Sequence, residues 1–113
     1  MTKWGQNPQP KGLSEGEIRY QIEAYLRLTG WFIYHNLAGL GSWPGLSDLV
    51  AIRDGEVIHI EIKNKNGIQS DKQKAFQKTL EAAGGTYLLA RDLCDVMHLG
   101  KEGKTGQRMW GGK

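Results

Sequence analysis

Asp48, Glu61 and Lys63 are the side chains of this sequence best placed to do chemistry, and all three fall in the stretch Gly45–Lys63. Two apolar, β-branched runs, Leu49-Val50-Ala51-Ile52 and Val57-Ile58-His59-Ile60-Glu61-Ile62, flank Asp54-Gly55, a strong signal for a tight hairpin. Asp48 opens the first strand, and Glu61 and Lys63 close the second. With a side-chain period of two, Glu61 and Lys63 share one face while Ile60 and Ile62 take the other. Paired carboxylates are the hard oxygen ligands that Mg²⁺ or Mn²⁺ prefers, with waters and substrate phosphates completing the shell. Asp48 and Glu61 are therefore the expected metal ligands, with the backbone carbonyl of Ile62 beside them. Lys63 is placed to orient a water or offset charge in a transition state. Taken alone, Glu61 and Lys63 read better as a solvated strand face than as a site. Asp48, however, lies inside the apolar run Gly45-Leu46-Ser47-Asp48-Leu49-Val50, where an unpaired carboxylate is costly, so pairing with a metal or with Lys63 is expected. His59 shares this face and is expected to be a neighbour of the site, since nitrogen does not suit Mg²⁺.

Two helices must bring further groups to this centre. Ser14-Glu15-Gly16-Glu17 is a capping box and starts a helix whose buried stripe is Ile18, Ile22, Tyr25 and Leu26, ending at Gly30. At about 100° per residue, Glu15 lies within about 20° of Ile22 and about 60° of Ile18, on the core-facing stripe, whereas Glu17 has a capping task. Glu15 either favours the positive end of the helix dipole or points into the metal site, through water or a second ion. Ser70-Asp71-Lys72-Gln73 is a second capping box; it opens a helix from about Asp71 to Ala83 with Phe76, Leu80 and Ala83 inward and Gly84-Gly85 at its end. Gln73 can hold Lys63 or the attacking water, a role that competes with capping for one side chain.

The remaining elements follow from composition. Trp31–Asn36 reads as a strand, and Leu37–Gly45, with its glycines and Pro44, as a loop. Trp43 in that loop is either a packing anchor or a stacking surface. His35 is expected to be structural. Thr86–Ala90 is nearly all apolar and suits a central strand covered on both faces, parallel to the Val57–Lys63 strand through a right-handed helical crossover. Asp92 can cap a last helix through Leu93, Val96 and Met97 to about Gly100, with Cys94 a small core or boundary residue. The predicted fold class is α/β, a mixed sheet of about four strands flanked by helices.

At 113 residues the chain has room for one core, with a flexible lead over 1–12, a domain over 13–99 and a basic, Gly-rich tail over 100–113. No apolar run reaches the ~20 residues of a membrane span, and the N-terminus lacks a signal-peptide apolar region. The single cysteine excludes an internal disulfide framework or a multi-thiolate zinc site and fits a reducing cytoplasm. The net charge of +3 permits nucleic-acid binding. Residues 100–113 themselves carry +3, from Lys101, Lys104, Arg108 and Lys113 against Glu102. That tail is either a solubilising end or a phosphate-seeking arm with Trp110 available for stacking.

Together, Gly45-Leu46-Ser47-Asp48-Leu49, the hairpin, Glu61-Ile62-Lys63 and Gly67-Ile68-Gln69-Ser70-Asp71-Lys72-Gln73 resemble the VRR-NUC domain of the PD-(D/E)XK nuclease superfamily. Glu15 fits the family's upstream Glu better than Glu17. The likeness spans roughly residues 13–97. One departure is that the name-giving Pro-Asp pair is absent, since Asp48 follows Ser47 and Pro44 lies four residues upstream. The resemblance implies a restriction-endonuclease-like core and a Mg²⁺- or Mn²⁺-dependent DNA endonuclease. Asp48 and Glu61 would bind metal, Lys63 would be catalytic, and Glu15 and Gln73 would complete the site. It also places the chain with stand-alone bacteriophage forms that look like Holliday-junction resolvases and cut branched DNA as homodimers. Such a protein would work in the cytoplasm of a bacterial host or phage-infected cell. The alternatives are a flap or non-specific DNA nuclease needing a partner, or a catalytically silent DNA-binding module.

Overall fold

The computed structural model describes residues 12–37, 39 and 41–101. The expected N-terminal lead, except Gly12, and the tail beyond Lys101, with Trp110, lie outside the described residues.

Helix α1 spans Glu15–Leu28. Its capping box is complete: Ser14 Oγ accepts from the Glu17 N–H at 3.1 Å and Glu17 Oε1 accepts from the Ser14 N–H at 2.8 Å. Ile18, Ile22 and Leu26, four residues apart, form its buried stripe. Gly30, at φ 92°, ends it, and the chain turns at once into β1, Phe32–His35. β2 (Leu49–Arg53) and β3 (Glu56–Ile62) form the hairpin. Asp54 and Gly55 both have positive φ, 54° and 81°, as a two-residue turn matching the right-handed strand twist requires. Helix α2, Asp71–Ala82, repeats the capping box with Ser70 and Gln73 and carries the chain over to β4, Thr86–Ala90, which pairs parallel with β3.

The sheet order is β1-β2-β3-β4, antiparallel except for the last pair. On one face Ile33, Leu49, Ala51, Ile58, Ile60 and Ile62 meet the α1 stripe, forming the core with Trp31, Val96 and Leu99. On the other face Phe76 of α2 packs against His59 and Tyr87, with ring centroids 6.1 and 6.2 Å apart. His35 has the structural role expected, pairing through Nε2 with Glu23 Oε2 at 2.6 Å. Among the described residues no helix is long and apolar enough to cross a membrane.

Several expectations are corrected. β4 lies at an edge of the sheet; its apolar run reflects cover on its two faces, and such cover leaves a strand's lateral position open. In α2, Phe76 is buried, Leu80 half-buried and Ala83 an exposed C-cap, because one aromatic ring suffices to seat a short helix on an edge strand. The last element is a 3₁₀ helix, Leu93–Gly100, and the Asp92 side chain makes no cap. The tighter three-residue turn buries Val96 and Leu99 and leaves Met97 and Cys94 exposed. Gly100 belongs to the domain and not to the tail: a Cβ there would collide with the Tyr25 hydroxyl, whose O–H donates to the Met97 carbonyl at 2.8 Å.

Gly45 is the glycine on which the site depends. It sits at φ 75°, and a Cβ would run into the Lys72 carbonyl and within 2.7 Å of the Gln73 nitrogen, so the loop before β2 is pressed directly onto the first turn of α2. Gly45→Ala is expected to cost about 2–3 kcal/mol, from overpacking plus a disfavoured dihedral, measurable as a lower midpoint in urea unfolding.

Candidate active site

The site lies where the start of β2, the end of β3 and the first turns of α1 and α2 converge. β3 alternates as its period demands, with Ile58, Ile60 and Ile62 in the core and His59 and Glu61 on the α2 side. Burial on both faces takes Glu61 with it: the residue is 1% exposed. A carboxylate there needs partners. Gln73 Nε2 donates to Glu61 Oε2 at 2.9 Å and Lys63 Nζ lies 3.5 Å from the same oxygen. Glu61 Oε1 is buried without a hydrogen-bond partner. Burial and, after it, the neighbouring Asp48 carboxylate push Glu61 up to about 7, against the pull of Lys63.

Asp48, immediately before β2, ties the hairpin's two ends together. Its backbone carbonyl accepts from the Asn36 N–H at 2.9 Å, and its Oδ2 accepts from the Ile62 N–H at 2.7 Å. The Ile62 amide thus orients one carboxylate while its neighbours along the chain supply the other and the ammonium. Gln73 closes its capping box and still reaches the site, bonding Glu61 in place of the expected Lys63 or attacking water. Its Oε1 accepts from the Ser70 N–H at 2.9 Å to close the capping box, and its Nε2 serves Glu61, because an amide has a donor end and an acceptor end.

Glu15 is placed differently from its expected buried orientation. Its side chain is 42% exposed and pairs with Arg19, one turn along α1, at 3.3 Å. Arg19 Nη2 also lies 3.6 Å from Asp48 Oδ1, so Glu15 reaches Asp48 through a guanidinium. A long side chain at a helix start can swing outward to an i+4 partner, whatever angle its backbone takes on the helical wheel. Arg19 was missed in the sequence; the signal available was its i+4 spacing from Glu15. His59 is a neighbour of the site, packed on Phe76 and held below its ordinary value chiefly by burial.

The oxygens of Asp48 and Glu61 suit a hard divalent cation, and the unpartnered Oε1 of Glu61 is a ready ligand atom. Among the described residues no three His, Cys, Asp or Glu side chains form a cage; the site offers a carboxylate pair, leaving other positions for water and phosphate oxygens, as Mg²⁺ prefers. Arg19 would compete with a cation for Asp48. Arg19→Gln is therefore expected to tighten Mn²⁺ binding severalfold by removing a like charge within ~4–6 Å, readable by calorimetric titration.

No family model and no curated protein matches the sequence. Two solved structures do resemble it in fold. One, described as a VRR_NUC domain, superposes with a TM-score of 0.66 at 18% identity, covering 75% of this chain and 91% of that one. Another, a VRR_NUC domain protein, gives 0.66 at 23% identity over 79% and 86%. Four strands in a mixed sheet, with α1 on one face and α2 on the other, are thus the fold this chain shares with the VRR_NUC domains, within the restriction-endonuclease-like architecture.

Proposed function

We propose that this chain is a metal-dependent DNA endonuclease that hydrolyses phosphodiester bonds, acting on Holliday junctions or other branched DNA as a homodimer. The observation that carries the chemistry is the buried Glu61, with one oxygen unpartnered and the other held by Gln73 and Lys63. Asp48 and Glu61 would hold Mg²⁺ or Mn²⁺, with the Ile62 carbonyl as a further oxygen donor and Glu15 acting through water or a second ion. Such an ion, when bound, polarises the phosphoryl group and steadies the leaving alkoxide.

The chain's own residues supply the rest. Gln73 fixes the Glu61 carboxylate by a single bond at Oε2, which keeps Oε1 free. The Ile62 N–H sets the angle of Asp48. Lys63, only 15% exposed and facing Glu61, presents an ammonium to the attacking water and to the non-bridging phosphate oxygens. Its charge grows in value as negative charge accumulates on phosphorus. Water adds to phosphorus and gives up a proton to solvent, the ester oxygen leaves with the bonding pair, and a proton is returned to it from solvent.

The VRR_NUC likeness supports the fold this chemistry needs, and symmetric cutting of a four-way junction calls for two such sites, hence two copies. The test is a panel of four-way junctions, flaps and plain duplex with Mg²⁺ or Mn²⁺, run beside sedimentation at assay concentration. Selective cutting of branched DNA by a dimer is expected. Equal cutting of all substrates, or a monomer, would replace junction selectivity with a flap or non-specific nuclease. Tight binding without cleavage would leave a silent DNA-binding module.

A further inference from the structure

The loop before β2 carries a side chain that the proposed chemistry does not use. Trp43 is 59% exposed and lines a cleft of about 530 Å³ together with Asp48, Gln73, Lys72, Asn36 and Ser42. That volume is within the roughly 300–1,000 Å³ of small-molecule sites. The backbone that carries the indole is braced. Gly45, two residues on, is pressed onto the backbone of Lys72 and Gln73. The Trp43 carbonyl accepts from the Leu46 N–H at 3.3 Å, and Asn36 Nδ2 donates to the Ser47 carbonyl at 3.0 Å, joining the loop's two ends. A large aromatic held open to water on a braced support, beside a carboxylate site, is a stacking platform already formed.

We propose that this cleft takes one unstacked nucleobase of the DNA strand next to the scissile phosphate, stacked on Trp43, with the Lys72 ammonium on the adjoining phosphate. The substrate class thus rests on the nuclease reading and narrows it. A base inside a continuous duplex is sandwiched between its neighbours and reaches such a cleft only after unstacking, at a cost of a few kcal/mol; an unpaired nucleotide at a branch enters without that cost. The Asn36 amide and the Ser42 hydroxyl already bond to the backbone of the loop and its flank. The cleft therefore offers a π-face rather than a base-edge code, and base identity matters little.

The test uses the full chain in chelator, so that binding is read without cleavage. The probes are an oligothymidylate strand and the same strand with abasic sugar–phosphates, titrated onto wild type, Trp43→Phe and Trp43→Ala, with folding checked by circular dichroism. Wild type is expected to bind the base-bearing strand about tenfold more tightly than the abasic one. Trp43→Phe should keep most of that ratio, and Trp43→Ala should lose it while abasic binding stays the same. Equal affinity of wild type for the two strands would overturn the proposal, as would a ratio that survives in Trp43→Ala. Failure of the nuclease reading shows elsewhere, as absence of cleavage by wild type with Mg²⁺ or Mn²⁺ on every substrate.

Discussion

Replacing Lys63 by Met should lower the rate of DNA cleavage by about 10³-fold, the loss typical when one preorganised charge facing the developing transition state is removed, while the protein stays folded. The ammonium lies 3.5 Å from Glu61 Oε2, so it is fixed in place before substrate arrives and costs no reorganisation during the reaction. Met keeps most of the aliphatic stem that packs at the end of β3 and removes only the charge. The loss should fall on kcat, with KM changed little, because the interaction strengthens as charge builds on phosphorus. Single-turnover cleavage beside thermal unfolding checks both halves. Unchanged cleavage would remove Lys63 from the chemistry, and a collapse of Tm would make its role structural.

The second large effect concerns stability. Glu61 titrates at about 7 in the folded protein against 4.5 for its ordinary value, so between those two pH values the folded state binds more protons than the unfolded one. Its contribution is fully present below the unfolded value and is lost as pH rises through about 7. At 1.36 kcal/mol per pKa unit, the loss is on the order of 3 kcal/mol. Glu61→Gln cannot ionise, yet its amide oxygen can still accept from Gln73. In chelator the variant should be the more stable protein above about pH 7, by a Tm difference on the order of 10 °C for a domain of this size, with the gap closing near pH 4.5. His59, held low by burial, adds the opposite slope to both proteins, so the difference between them isolates Glu61. Mn²⁺ should restore the wild type at about pH 8 and leave the variant unmoved. A pH-independent gap would show that Glu61 is not the group responsible. The variant should also lose cleavage, exchanging function for stability.

Much of this architecture was legible in the chain itself because local signals carried it. Both capping boxes, the Asp54-Gly55 turn, the β-branched hairpin and the parallel return to Thr86–Ala90 are short-range chemistry, and each appears in the fold as read. The grouping of Asp48, Glu61, Lys63 and Gln73 followed from strand alternation and from one helix start.

What sequence did not contain was the relative placement of elements distant along the chain. A run of apolar residues states that β4 is covered on its faces and says nothing of which neighbours flank it, so its place at the edge came from packing. A 3₁₀ turn and an α turn share nearly the same apolar spacing over eight residues, so the sequence does not separate them, and in the fold the element ends with Gly100 seated against Tyr25 and Thr29. Arg19 meets Asp48 because α1 crosses the mouth of a hairpin 29 positions later in the chain. Asp48, Glu61 and Lys63, then, were determined as candidates by residue type and period. Tertiary structure alone decided that Glu61 would be dry with one oxygen unpartnered, that Gln73 could serve both cap and carboxylate, and that Trp43 would stand open beside them. Burial and long-range contact belong to the assembled protein, and they gather three polar residues of a hairpin into one candidate site.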